Sequence, residues 1–92
     1  MTDILSSKFT LSDQVIESQV GDETVLLHLE SGTYYGLDAI GTVIWGKLRE
    51  GAEPAEICEA ISQEYEISLE TAQGDARNFL NDLKKHQIII DE

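Results

Sequence analysis

Positive charge is what this 92-residue sequence most lacks. It has six Lys and Arg against 18 Asp and Glu, a formal net charge of −12. Gripping a phosphate backbone requires cations, so neither nucleic acid nor an anionic membrane is an expected partner. Cysteine is nearly absent too. The single Cys58 excludes an intrachain disulfide and any CxxC zinc or iron–sulfur site, and a lone thiol fits a reducing, cytoplasmic setting. No apolar run approaches membrane-spanning length; Ile88-Ile89-Ile90 is typical of the pieces present. Residues 1–10 have neither the basic nor the apolar part of a secretion signal. A chain of this length reads as one domain, 1–92, burying roughly 60–65% of its unfolded surface, too little for a deep cleft. The apolar fraction of 41% is still sufficient for a folded core.

Residues 1–11 are polar and unpatterned and read as a loose arm. From Val15 the texture becomes that of strands. Val15, Ile16 and Val20 end at the Gly21-Asp22 turn. Val25, Leu27 and Leu29 then alternate with Thr24, Leu26 and His28; the first set is assigned to the core face. Glu30-Ser31-Gly32 makes a hairpin turn into a short aromatic third strand, Thr33-Tyr34-Tyr35-Gly36-Leu37. Asp38 caps a helix over residues 39–50, with Ile40, Val43, Ile44 and Leu48 at helical spacing. Gly41 and Gly46 inside it imply close packing against a neighbour. Pro54 opens a second helix ending near Tyr65, and Ser68 caps a third ending near Lys85 or His86. Leu69, Ala72, Ala76, Phe79, Leu80 and Leu83 form the third helix's buried stripe, and residues 88–90 are an apolar tail that pairs or packs on the sheet. The fold class is α+β, a three-stranded antiparallel N-terminal sheet followed by three helices. The helical half is the more acidic, with 11 acids against 3 bases from Glu50 onward.

Catalytic constellations are missing. His28 and His86 lie on different elements, with no nucleophile and orienting carboxylate at either. No basic group neighbours Cys58 to lower its pKa, so it reads as a structural thiol. The carboxylates Glu53, Glu56 and Glu59 read as a solvated helix face, and no glycine-rich phosphate loop occurs. No enzyme activity, cofactor or metal is expected.

The informative feature is the third strand. In a meander it is an edge, and from Thr33 to Leu37 it has none of the lysines or prolines that usually blunt one. An unpaired edge is a template for an added strand, with main-chain bonds supplying affinity and side-chain pockets specificity. If the third helix lies alongside, its flanking residues Asp75, Asn78, Phe79 and Asp82 line the groove edge: Phe79 as a floor, Asp75 and Asp82 to meet basic side chains. A proline at Tyr35 is expected to remove an edge donor. The same open edge permits either a monomer or an edge-paired dimer.

The run from Glu23 through Gly32-Thr33-Tyr34-Tyr35-Gly36-Leu37-Asp38 to Trp45 resembles the PqqD family, as do the later run over residues 55–67 and the Phe79-Leu80-Asn81-Asp82-Leu83 helix end. The resemblance spans about residues 15–90. It implies a winged helix-turn-helix that recognises the leader of a ribosomally made, later modified precursor peptide, as in quinone-cofactor or lasso-peptide biosynthesis. The leader would add along Thr33, Tyr34, Tyr35, Gly36 and Leu37, against Asp75, Phe79, Asp82 and Leu83 on the third helix. The domain would present it, without catalysis of its own, to a leader peptidase or radical SAM enzyme. The competing reading is a small winged-helix interaction or transcription-related module with no precursor peptide.

Overall fold

A computed structural model describes residues 4–91 of the chain. After a single 3₁₀ turn (Ile4–Ser6), the elements run β1 (Phe9–Leu11), β2 (Val15–Val20), β3 (Glu23–His28), β4 (Thr33–Leu37), α1 (Ala39–Arg49), α2 (Pro54–Glu64), α3 (Leu69–Lys85) and β5 (Ile89–Asp91). β2, β3 and β4 form an antiparallel sheet in that order; the third strand of the sequence reading is β4. The three helices follow the sheet, as expected for this α+β class.

Local chemistry accounts for the helix starts. The Asp38 carboxylate accepts the Gly41 N–H at 2.7 Å, satisfying one of the orphan donors of the first turn. Ser68 does the same for Thr71 at 3.1 Å. At α2, Pro54 occupies the first turn and Glu53 and Glu56 form a reciprocal capping box. Lys84 and Lys85 occupy the last turn of α3, where cations suit the negative dipole end.

One face of the sheet and the inner faces of the helices share a core. Leu26 and Leu37 from the sheet meet Ile44 and Trp45 of α1, Ile57 and Ile61 of α2, and Ala72, Ala76, Leu80 and Leu83 of α3. Each fully buried leucine or isoleucine contributes roughly 1.5–3 kcal/mol. Cys58 is buried among them.

Several expectations change. The loose arm over residues 1–11 is replaced, from Ile4 on, by ordered chain. Leu5 is buried and β1 pairs antiparallel with β5 through Phe9↔Asp91, Thr10↔Ile90 and Leu11↔Ile89; residues 1–3 lie outside the described range. The apolar tail thus pairs with the N-terminal segment and makes a second, two-stranded sheet. The faces of β3 are exchanged: Thr24, Leu26 and His28 are buried, while Leu29 is half exposed. Both sets are rich enough in carbon to serve, and the helices cover the one holding Leu26. Leu69, at the start of α3, is exposed instead of joining the stripe. Gly41 is the close approach anticipated, since a Cβ there would sit 3.2 Å from Phe79 Cε1; at Gly46 a Cβ would meet nothing within 4 Å.

Candidate functional site

β4 is an edge of its sheet, and the ladder tells which of its backbone groups are free. The Leu29 N–H donates to the Gln14 carbonyl at 2.7 Å, and these residues are opposite one another, one step beyond the Val15↔His28 pair. Bonded and non-bonded pairs alternate along an antiparallel ladder. Odd-numbered residues of β3 therefore bond to β2 and even-numbered ones to β4. Across β3 and β4 the bonded pairs are Thr24↔Leu37, Leu26↔Tyr35 and His28↔Thr33. The N–H and C=O groups of Tyr34 and Gly36 are left pointing outward, roughly 7 Å apart. A proline at Tyr35 would therefore break the bond to Leu26, contrary to the expectation that it removes an edge donor; the edge donors belong to Tyr34 and Gly36.

Across from this edge stands α3, and one side chain spans the gap. The Tyr35 ring lies edge-on to Phe79 with centroids 6.5 Å apart and tilts against His86 at 5.5 Å. Its hydroxyl donates a long, 3.4 Å hydrogen bond to Asp82 Oδ2. Burial, then the charge of Asp82 and its hydrogen bond, with Asp38 adding to them, raises the Tyr35 pKa above its ordinary 10.0. The phenol thus stays protonated and a donor at neutral pH. Phe79 can seat this deeply because Gly41 of α1 carries no side chain in its way. On either side of the Tyr35–Phe79 bridge a shallow cavity opens. One, of about 210 Å³, lies between the start of α1 and the middle of α3; the other, of about 230 Å³, lies at the end of α3 beside Thr33.

The sequence-derived candidates divide into three groups. Tyr35, Phe79 and Asp82 meet in the groove, and Asp75 and Asn78 line its first cavity with Phe79. Thr33 lines the second cavity, whereas Tyr34 and Gly36 offer outward backbone. Tyr34's ring, 71% exposed, points to the outer face of the sheet and away from the groove. Leu37 and Leu83 are in the core, at 3% and 0% exposure, so they support the walls from beneath and offer no surface.

Sequence reading missed other groove residues. Asp38, Ile40 and Gly41 reach the first cavity and Lys85 and His86 the second. Helical spacing did mark Ile40 as inward and Asp38 as a cap, but nothing local revealed that both line a cavity with Asp75, Asn78 and Phe79 of α3. Among the described residues no group of three or more His, Cys, Asp or Glu could hold a metal ion, and no helix is long and apolar enough to cross a membrane.

The outer face of the sheet carries apolar side chains, and no described element covers it. Register places Ile16, Leu27 and Tyr34 in one row and Ser18, Val25 and Gly36 in the next. Ile16, Val20 and Tyr34 are all about half exposed or more.

The model of the family described as coenzyme PQQ synthesis protein D (PqqD) matches residues 23–89. No curated protein matches the chain. Among solved structures, TbiB1 in complex with the TbiA(beta) leader peptide is similar at 45% identity and a TM-score of 0.82, covering 87% of this chain and 93% of that one. A lasso peptide synthetase B1 complexed with its leader peptide is similar at 26% identity and a TM-score of 0.84, covering 91% and 99%.

Proposed function

The chain belongs to the PqqD family, and from that premise we propose that it binds the leader of a ribosomal precursor peptide and presents it to a modifying enzyme, without catalysing a reaction itself. The leader adds as a fourth strand at the β4 edge and lies against α3. The observation that carries this reading is the bare edge at Tyr34 and Gly36 facing α3 across the Tyr35–Phe79 bridge. The two similar structures, both leader-peptide complexes, support it. So does the sheet-then-helices order, which suits the winged helix-turn-helix outline implied by the family; the charge of −12 makes DNA an unsuitable ligand for that shape.

Presentation needs a second surface, and the outer sheet face supplies it. The exposed Ile16 and Tyr34, with the half-buried Leu27 and Val25 beside them, make an apolar patch on that face. It is suited to a leader peptidase or radical SAM enzyme, and stays accessible while the edge is occupied. Calorimetric titration with the TbiA(beta) leader peptide tests the binding step, with a dissociation constant of about 1 µM or tighter expected, roughly −8 kcal/mol. A folded chain that shows no binding at high peptide concentration would refute the proposal.

A further inference from the structure

We propose that the groove reads the order of charges along the peptide: it selects a strand, antiparallel to β4, with a basic side chain towards its N-terminal end and an acidic one towards its C-terminal end. This rests on the leader-binding reading above and specifies the class of peptide that the site takes.

The two ends of the groove differ in chemistry. At the Leu37 end, the cavity has a floor of Ile40, Ile44 and Phe79 with Asp38 and Asp75 at its sides, and no Lys or Arg lines it. One Asp38 oxygen accepts the Gly41 N–H, but a carboxylate has room for about four hydrogen bonds, so it remains an acceptor. An apolar floor beside paired carboxylates suits a Lys or Arg side chain, whose stem lies on carbon while its head meets the charges. At the Thr33 end the lining reverses sign. Lys85 and His86 line that cavity with Ser31, Thr33 and Tyr35, and no Asp or Glu does. Lys84 next door is tied to Asp91 at 2.7 Å, which leaves Lys85 as the ammonium facing the cavity. The last carbonyls of α3 offset part of this positive charge, so the basic end is the weaker selector.

Direction follows from the ladder. Antiparallel pairing is somewhat more stable per residue than parallel pairing. β4 runs from the basic end at Thr33 to the acidic end at Leu37, so an antiparallel strand enters with its N-terminal side at Asp38 and Asp75. An acidic protein attracts basic peptides over its whole surface; this attraction depends on composition, whereas the groove discriminates order.

Selection from displayed randomised peptides, followed by titration of the best binder and its charge-swapped isomer of identical composition, tests the inference. The expected result is Lys or Arg enriched in the N-terminal half of binders and Asp or Glu in the C-terminal half. The isomers should differ by about fivefold or more in dissociation constant, the ratio that roughly 1 kcal/mol represents. The double variant Asp75→Lys, Lys85→Glu, checked for folding by circular dichroism, should invert the preference. Binders without charge order would overturn the polarity and leave the peptide groove standing. Enrichment in the opposite order would overturn the antiparallel direction. A folded protein that enriches no peptide would overturn the groove reading and this inference together.

Discussion

The three-stranded sheet has two edges, and they are built differently. On β2, outward backbone belongs to Val15, Glu17 and Gln19, by the same alternation that frees Tyr34 and Gly36 on β4. β2 carries a charge on its inward side, a known defence against edge pairing. Glu17 accepts hydrogen bonds from the Trp45 indole and the Arg49 guanidinium, both on α1. Next to it, Gln19 donates to Thr24 Oγ1 at 2.9 Å. On β4 the inward positions are Thr33, Tyr35 and Leu37, none of them charged, and the edge faces a groove instead of a clamp. One sheet thus pairs a guarded edge with an open one, and the open one lies beside α3. The two edges differ in what stands behind them: an inward carboxylate with its α1 partners at β2, uncharged side chains and open cavities at β4.

The largest expected effect comes from closing the open edge. Gly36→Pro removes an outward N–H and places a ring in the path of an added strand. Titration should show leader binding weakened more than tenfold with the fold intact, while Gln19→Pro on the guarded edge should leave binding within about twofold. Equal losses from both would break the distinction between the edges. Next is the floor of the groove. Phe79→Ala deletes a half-buried ring, with an expected loss of about 2 kcal/mol in denaturant unfolding as well as weaker leader binding.

Opening the guarded edge should have a smaller effect. Glu17→Gln keeps the shape and removes the charge, with an expected cost of about 1 kcal/mol, a fall of roughly 4–8 °C in melting temperature. The hydrogen bond from Arg49 holds the Glu17 carboxyl below its ordinary 4.5, partly against desolvation. Its stabilising contribution is therefore present above the unfolded value and is lost as pH falls through the lower folded value. Melting curves of the parent should show this loss below about pH 4.5, and those of Glu17→Gln should lack that component. The smallest effect on leader affinity is expected from Ile16→Lys on the outer face: binding unchanged, but slower processing of the bound precursor by the partner enzyme. A parallel loss of leader binding would place that face in the groove's function.

The open edge was legible in the chain because its signals are local. Gly32 closes a hairpin at a φ of +70°, period two runs through Thr33–Leu37, and Asp38 ends the strand by starting a helix. The guarded edge was not legible. Nothing near Glu17 in sequence announces Trp45 and Arg49, 28 and 32 residues away. The same limit hid the β1–β5 sheet, whose strands come from opposite ends of the chain. Face assignment on β3 failed for a different reason: alternation defines two sets, and only the helices decide which is covered. For the groove, the pattern marked Phe79, Asp82 and Tyr35 separately, but their meeting depends on Gly41 admitting Phe79 to α1.

Amide hydrogen exchange at the two edges, measured with and without the TbiA(beta) leader peptide, decides whether a strand adds at β4. The predicted result is new protection at the Tyr34 and Gly36 amides on peptide addition, with the Glu17 and Gln19 amides unchanged. Protection at Glu17 and Gln19, or binding that leaves Tyr34 and Gly36 unprotected, would contradict strand addition at β4.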